Sequence, residues 1–468
     1  MKQLLMDISP FMARTALVED GRLSELLVDT TERVSRVGNI YAAYVSDVQK
    51  NGFAFLDIGE GKKGLLQLSD HRQRGLAKVS QGSRLIVQVL RDETGGKGPM
   101  LSTTLSFPGR FLVLMKNPDE QMYVRTSGKI TDPILRDELK NRCSGMCPEG
   151  FAIILRTAVM EATCEELHLE VRALHEKARK ILETGRFIKP PMLLQGDEKI
   201  YGRSLKELLD TVPNRIVLND EAELSYIKNT ALNYIGMGDV SVHKGGLSIF
   251  ETYGISTQVD KALHQKIWLS CGGFILIEES AACTYIDVNT GKCPGKRNFE
   301  EMAKKVNNEA ANEIAASIRL KNLSGLIIVD FINSRNDELA DELKSNFSMA
   351  LLKDRTPAVI TDWSALNIVQ LTRKRSRIAL SEILTEPCGF CGGSGAVKSP
   401  AFFADKIYKE IIKIYLEGFY DRIAVSANED IAVLMKKTGL PTWVSVSGLR
   451  GKPQGFYEIL KTKSSHEP

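Results

Sequence analysis

The chain lacks any long apolar run. No stretch approaches the length of a membrane span, which argues against a protein threaded through a bilayer by helices. The first residues, MKQLLMDISPF, lack the extended apolar region and small-residue cleavage site of a secretory signal, so a cytoplasmic location is expected. Cysteine is sparse: eight residues, unevenly placed. Cys143 and Cys147 have three residues between them, Cys388 and Cys391 have two, and the others are single. That pattern argues against a disulfide framework and leaves free thiols or a metal site. Charge of one sign is also missing. Lys and Arg number 62 against 58 Asp and Glu, a net charge of +4, so nucleic-acid binding is permitted but must be argued from local patches.

What is present is ordinary for a globular chain, with 43% hydrophobic and 26% charged residues. At 468 residues it is too long for one core, and two to four domains are expected. Residues 1–35 read as short strands, too few to fold alone, that pair with something later. Residues 36–105 read as a small β-barrel, with Asn51-Gly52 as a hairpin turn and strands around Phe53–Ile58, Leu65 and Ser83–Leu90. Aromatics beside basic residues suit an OB-type fold that stacks bases and tracks phosphates, although Phe53 and Phe55 also suit an inward-facing core. Residues 106–201 hold strands at Phe111–Met115 and Phe151–Val159. A helix follows whose apolar face is Leu167, Val171, Leu174, Ala178 and Ile181. Residues 202–262 mix a strand at Arg215–Asn219 with a helix over Asp220–Tyr234.

Residues 263–385 carry the densest chemistry. The stretch TYIDVNTG (Thr284–Gly291) alternates as a strand, so Cys283, Tyr285, Asp287 and Asn289 share one face. A second run, Gly325–Phe331, is apolar up to Asp330. A helix between them presents Phe299, Met302, Val306, Ala310 and Ile314 on one side. Acidic residues at the ends of buried strands are costly unless a metal, a donor or water compensates them. Two aspartates with an amide between them make an all-oxygen site of the kind Mg²⁺ prefers. The same residues also suit a turn and a plain strand end. Four cations follow in LTRKRSR (Leu371–Arg377), fitting either phosphate binding or a solvated helix face. Over residues 386–399 the chain turns glycine-rich around Cys388 and Cys391. C-x-x-C is half of a tetrahedral zinc site, and the other half can come from Cys143 and Cys147 or from a second copy of the chain. Residues 400–468 resume with a helix over Ala404–Leu416 and end in a polar tail.

The segment YVSDVQKNGFAFLDIG (Tyr44–Gly59) resembles the RNA-binding barrel first named from a ribosomal protein. Beyond it, YIDVNTG (Tyr285–Gly291), NNEAANEIA with IRLKNLSGLIIVDFI (Asn307–Ile332), LTRKR (Leu371–Arg375) and CGFCGGSG (Cys388–Gly395) occur in the order and approximate spacing of the ribonuclease E/G family of endoribonucleases. The chain resembles that family over nearly its whole length, in its short, ribonuclease G-like form.

The resemblance implies a multidomain α/β architecture. An RNase H-like domain, built from 1–35 and 202–262, would hold an inserted OB-fold RNA-binding barrel (36–105) and a 5′-sensor region (106–201). A DNase I-like catalytic domain (263–385), a zinc-link (386–399) and a small C-terminal domain (400–468) would follow. Asp287 and Asp330 match the family's Mg²⁺ ligands, and Asn289 the amide that positions them. Arg156 and Thr157 match the pocket that holds a 5′-monophosphate. Phe55, Lys97, Arg373 and Lys374 fall where RNA is contacted. Cys388 and Cys391 match a cysteine pair that shares one Zn²⁺ between two subunits, implying a homodimer or a dimer of dimers.

The expected activity is Mg²⁺-dependent cleavage of single-stranded RNA, favouring 5′-monophosphorylated substrates. The alternative is an RNA-binding protein that kept the scaffold without catalysis. The chain departs from the family pattern at Ala281, Asn333, Ala365 and Gln370, where Asp, Glu or Arg is usual, and at Leu65 and Gly389. Such losses around a metal pair commonly weaken activity or affinity about 10- to 100-fold.

Overall fold

Near-continuous apolar runs build the first sheet. Leu4, Leu5 and Met6, then Ala16, Leu17 and Val18, then Leu26, Leu27 and Val28 are all buried, as in strands covered on both faces. Lys2–Ile8 lies centrally. It pairs antiparallel with Met12–Glu19, which continues to Arg22–Thr30, and parallel with Arg215–Leu218, beyond which lies Val240–Val242. The first strands thus complete a sheet whose remaining strands come from after the barrel. One face packs on Leu205, Leu208, Leu209 and Ile227 of helices Gly202–Leu209 and Leu224–Ile235.

The computed structural model describes the whole chain except residues 33, 69–78, 94–97, 117–121, 129, 198, 237–238, 281, 295–298, 334–336, 365 and 463–468. It divides into two units, Met1–Ile383 and Leu384–Pro468.

Within the first unit, Ile40–Gln49, Phe53–Asp57, Gly64–Gln67, Met100–Ser102 and Arg84–Arg91 form a closed barrel, the last strand returning to pair with the first. Ala54 and Leu56 point into its core. Phe53 and Phe55 take the alternate positions and lie half-buried on the outer face, so the inward-facing alternative does not hold for either. A four-stranded sheet follows, in the order Val124–Thr126, Phe151–Leu155, Leu112–Lys116, Leu105–Pro108. Helix Cys164–Phe187 buries Leu167, Val171, Ala178 and Ile181 against that region. Its start is fixed by reciprocal bonds between Thr163 and Glu166.

The last sheet of this unit has six strands in the order Lys266–Trp268, Phe274–Glu279, Thr284–Asn289, Gly325–Asp330, Ile368–Arg373, Ala358–Trp363. Thr284–Asn289 and Gly325–Asp330 run parallel, so the chain between them must cross over, and it does so as helix Phe299–Leu320. That helix buries Met302, Val306, Ala310 and Ile314 on the sheet; Phe299, expected on the same face, is half-exposed at the helix start. Helix Asp337–Leu351 packs beside it. The packed face of the sheet is apolar: Ile275, Ile277, Ile286, Val288, Ile327, Val329, Val369 and Leu371 are buried.

The second unit packs helices Pro400–Leu416 and Glu429–Lys437 on a three-stranded sheet of Val444–Leu449, Arg422–Asn428 and Tyr457–Thr462. Among the described residues, no helix is long and apolar enough to cross a membrane.

Buried ion pairs join the first sheet to the last. Arg377 lies between Asp29 and Glu207, Arg203 bonds Glu207 at 2.7 Å, and Arg355 bonds Glu25 at 2.5 Å. Burial alone would raise the Glu207 carboxyl, but the Arg377 and Arg203 charges outweigh it and hold it at about 2 against an ordinary 4.5. A carboxyl depressed on folding stabilises the fold above its unfolded value, and that stability is lost as pH falls through 4.5 toward 2. Glu207→Gln is therefore expected to lower stability at neutral pH by about 3 kcal/mol, since it leaves Arg377 under-compensated. It should also flatten the acid limb of a urea-midpoint titration. An acid limb identical to wild type would show that Glu207 does not govern it.

Candidate active site

Among the described residues, helices Phe299–Leu320 and Asp337–Leu351 pack on one face of the six-stranded sheet, and on the other its alternation exposes polar residues. Along Thr284–Asn289 the buried positions are Thr284, Ile286 and Val288, and the outward ones are Tyr285, Asp287 and Asn289. On the neighbouring strand Ile327 and Val329 are buried, while Leu326, Ile328 and Asp330 face out. The parallel register sets Asp287 directly beside Asp330. Strand spacing of about 4.8 Å then brings the two carboxylates within reach of one small cation.

Each carboxylate is held by a neutral donor from the same face. The Tyr285 hydroxyl donates to Asp330 Oδ2 at 2.8 Å, and Asn289 Nδ2 donates to Asp287 Oδ2 at 2.8 Å. The hydrogen bond to Asp330, burial and the neighbouring charges push the Tyr285 hydroxyl up to about 12, so it remains a donor across the physiological range. Among the described residues, no Lys or Arg forms an ion pair with either aspartate. Two adjacent carboxylates without a counter-cation, an amide and a phenol beside them, are a donor set that fits Mg²⁺, which binds through one or two carboxylates and keeps water or phosphate in its remaining positions.

The backbone around the pair is pinned from the crossover helix. Asn307 is buried; it donates to the Ile332 carbonyl at 2.8 Å and accepts from the Ile332 N–H at 3.0 Å, fixing the chain just past Asp330. Glu309 accepts from the Ser270 and Cys271 amides and so holds the turn at Gly272-Gly273. That turn lies against the end of TYIDVNTG. A Cβ on Gly273 would come 2.8 Å from the Asn289 carbonyl oxygen, and one on Gly291, at φ +52°, would come 2.6 Å from the Gly272 carbonyl oxygen. Asn307 and Glu309 lie within NNEAANEIA (Asn307–Ala315), where the motif alone assigns them no role. For Asn307 a signal was present: a polar residue on the helix's apolar face, four after Ala303 and three before Ala310.

Asp287, Asn289 and Asp330 are brought together; the other expected site residues are not part of this cluster. Phe55 lies on the outer barrel face, opposite Leu65. Lys97 falls outside the described residues, as do Ala281 and Ala365. Arg156 follows strand Phe151–Leu155, its guanidinium pairing with Asp210, donating to the Gly109 carbonyl at 2.5 Å and lying 5.1 Å from the Tyr234 ring centre. Thr157 is exposed beside it. Arg373, expected to contact RNA, is instead buried. Strand alternation turns it to the packed face, where it bonds Asp354 at 2.7 Å, Asn322 Oδ1 at 2.8 Å and the Leu323 carbonyl at 2.9 Å. Lys374, one residue on, is exposed, as are Asn333 and Gln370.

Cys388 and Cys391 lie in the second unit. Gly392, Gly393 and Gly395 all have positive φ there, and the Gly392 N–H donates to the Cys388 carbonyl at 2.8 Å. Backbone N–H groups of Gly395 and Gly393 lower the Cys391 thiol, favouring the thiolate a metal requires. Cys143 and Cys147 are different: burial raises both, and Cys147 donates to the Phe151 carbonyl at 3.1 Å.

Residues 106–376 match the Ribonuclease E/G family. The chain belongs to the ribonuclease E/G family. The family match takes in Arg156, Asp287, Asp330 and Arg373. Whole-chain similarity extends further. Ribonuclease G of Salmonella typhimurium (strain SL1344) is 31% identical over 93% of this chain and 92% of its own length. Ribonuclease G of Haemophilus influenzae is 32% identical over 88% of this chain and 87% of its own. Ribonuclease E of Synechocystis sp. is 31% identical over 80% of this chain and 57% of its own.

Proposed function

We propose that this chain is a Mg²⁺-dependent endoribonuclease that cuts single-stranded RNA on the open sheet face at Asp287 and Asp330. The observation that carries the reading is their register pairing, with one oxygen of each carboxylate fixed by Asn289 or Tyr285. Asp287 and Asp330 would hold the ion, which would supply Lewis-acid polarisation of a phosphoryl oxygen and of the attacking water. Tyr285 and Asn289 keep the carboxylates in one orientation, so little rearrangement accompanies the reaction. Water attacks phosphorus, the bond to the 3′ oxygen breaks, and that oxygen takes a proton, leaving 5′-phosphate and 3′-hydroxyl ends. The barrel face carrying Phe53, Phe55 and Leu65 supports single-strand binding by stacking.

Asp287→Asn and Asp330→Asn are each expected to slow cleavage of a 5′-monophosphorylated oligoribonucleotide at least about 100-fold at saturating Mg²⁺, with affinity in EDTA close to wild type. Near-wild-type cleavage in either variant refutes the assignment. Binding without Mg²⁺-dependent cleavage by the wild type replaces it with the RNA-binding reading.

Arg156 reads a 5′-monophosphate by exchanging Asp210 for the phosphate, a stronger forked partner. Arg156→Ala should cut the cleavage rate on 5′-monophosphorylated RNA about tenfold more than on 5′-hydroxyl RNA. Equal loss on both would make Arg156 structural.

Cys388 and Cys391 supply half of a Zn²⁺ site completed by a second copy, because twofold symmetry brings an identical pair to the same place. Elemental analysis with light scattering should give one zinc per two chains, and Cys388→Ser should lose both zinc and dimer. A monomer with its own zinc, or a dimer of unchanged mass in Cys388→Ser, counts against it.

A further inference from the structure

The open face carries a second group of side chains on the side away from Gly325–Asp330. In the edge strand Lys266–Trp268, Ile267 packs on the core, so Lys266 and Trp268 face outward. Trp268 is opposite Phe274, which is opposite Asn289; Lys266 is opposite Leu276, which is opposite Asp287. Two rows therefore cross the face, one running Lys266, Leu276, Asp287, Asp330 and the other Trp268, Phe274, Asn289. At about 4.8 Å per strand, Trp268 stands about 10 Å across the sheet from Asn289.

The group is ordered. Trp268 and Phe274 meet edge-on with ring centres 5.3 Å apart, and the Lys266 ammonium lies 4.3 Å from the first ring centre and 3.7 Å from the second. Phe274 lies close against Gly291, where a Cβ would come 3.2 Å from its ring. Yet Trp268 is 56% exposed. A large apolar ring fixed by its neighbours and left open is a stacking platform whose ordering cost is already met. The cation beside it lies in line with the two carboxylates, on a face that otherwise repels a phosphodiester.

We infer that Lys266, Trp268 and Phe274 form a nucleotide subsite of the active face. One base of single-stranded RNA stacks on the Trp268 indole, and an adjacent backbone phosphate pairs with Lys266. This rests on the endoribonuclease reading, since it is the acidic pair that gives the face its substrate. The subsite is tolerant of base identity, because every base has a stacking face, and it sets the strand's register against Asp287 and Asp330 from one side.

The test uses the full chain and a fluorescent single-stranded oligoribonucleotide in EDTA, with affinity read by anisotropy so that turnover plays no part. Trp268→Ala should weaken binding about 5- to 100-fold, and Trp268→Phe should recover most of it. In the wild type, an abasic nucleotide at one position should cost a similar factor, and in Trp268→Ala the same abasic position should cost nothing further. Lys266→Gln, which leaves the indole in place, should reduce the salt dependence of log Kd by about 0.7. The inference falls if Trp268→Ala binds as tightly as wild type, or if the abasic penalty persists in it. It also falls if the salt slope of Lys266→Gln is unchanged. A wild-type dimer that Trp268→Ala dissociates with RNA affinity intact would assign the face to a second copy instead. A wild type with no RNA affinity at all overturns the endoribonuclease reading itself. Tight wild-type binding indifferent to Trp268 and Lys266 overturns only the subsite.

Discussion

The acidic centre depends on one constraint, the parallel register that sets Asp287 beside Asp330. A slip by one residue would move every side chain of one strand to the opposite face, burying a carboxylate among Ile and Val and exposing the core. The register is enforced from below, where Ile286, Val288, Ile327 and Val329 are buried against the crossover helix. It is also enforced from the ends. Asn307 fixes the chain after Asp330, and Glu309 fixes the turn that packs under Asn289 and Gly291. One helix thus closes the core, makes the parallel pairing possible and clamps both strand ends. The carboxylates sit on the sheet rather than on loops, where geometry is held by the whole ladder.

A second set of constraints ties this sheet to the rest of the first unit. The run LTRKRSR is divided by alternation and then by strand end. Leu371 enters the core, Arg373 locks onto Asp354 and the loop after the crossover helix, and Arg377 reaches Asp29 and Glu207 on the first sheet and its helix. Charges buried in this way add little net stability relative to an apolar contact, but they tolerate few alternative arrangements. They fix how the two sheets face each other, and with that the placement of Arg156, whose partner Asp210 ends the helix that also carries Glu207.

Sequence reasoning reached what depends on local periodicity. The outward face of TYIDVNTG, the apolar stripe of helix Cys164–Phe187 and the apolar run ending at Asp330 all follow from spacing. It misread what depends on which side of an element is covered. Phe53 and Phe55 look like core residues by type, but the barrel interior takes Ala54 and Leu56, and period two leaves the aromatics outside. Arg373 looks like a surface cation, but its strand continues an apolar alternation that turns it inward. Phe299 has the helical spacing of a core residue but falls in the first turn, beyond the edge of what the helix covers. The pairings of Arg156 with Asp210 and of Arg377 with Asp29 join distant parts of the chain, and no local pattern announces them. The same holds for Lys266 and Trp268, whose meaning comes only from lying on the same rows as the aspartates.

The departures from the family pattern take on a physical sense on this face. Asn333 is exposed beyond the strand end, so an amide there removes charge from the rim and leaves the paired carboxylates untouched. Gln370 faces out one strand beyond Ile328, and the residue opposite it is the exposed Asp362, brought there by a register shift in the edge hairpin. A carboxylate thus stands on the neighbouring strand, farther from the centre. Fewer and more distant carboxylates lower the pull on a divalent cation, and they also lower the repulsion felt by an approaching phosphodiester. With Lys266 on the opposite flank, the face carries a cation at one edge strand and Asp362 at the other, with Glu278 and the paired aspartates between.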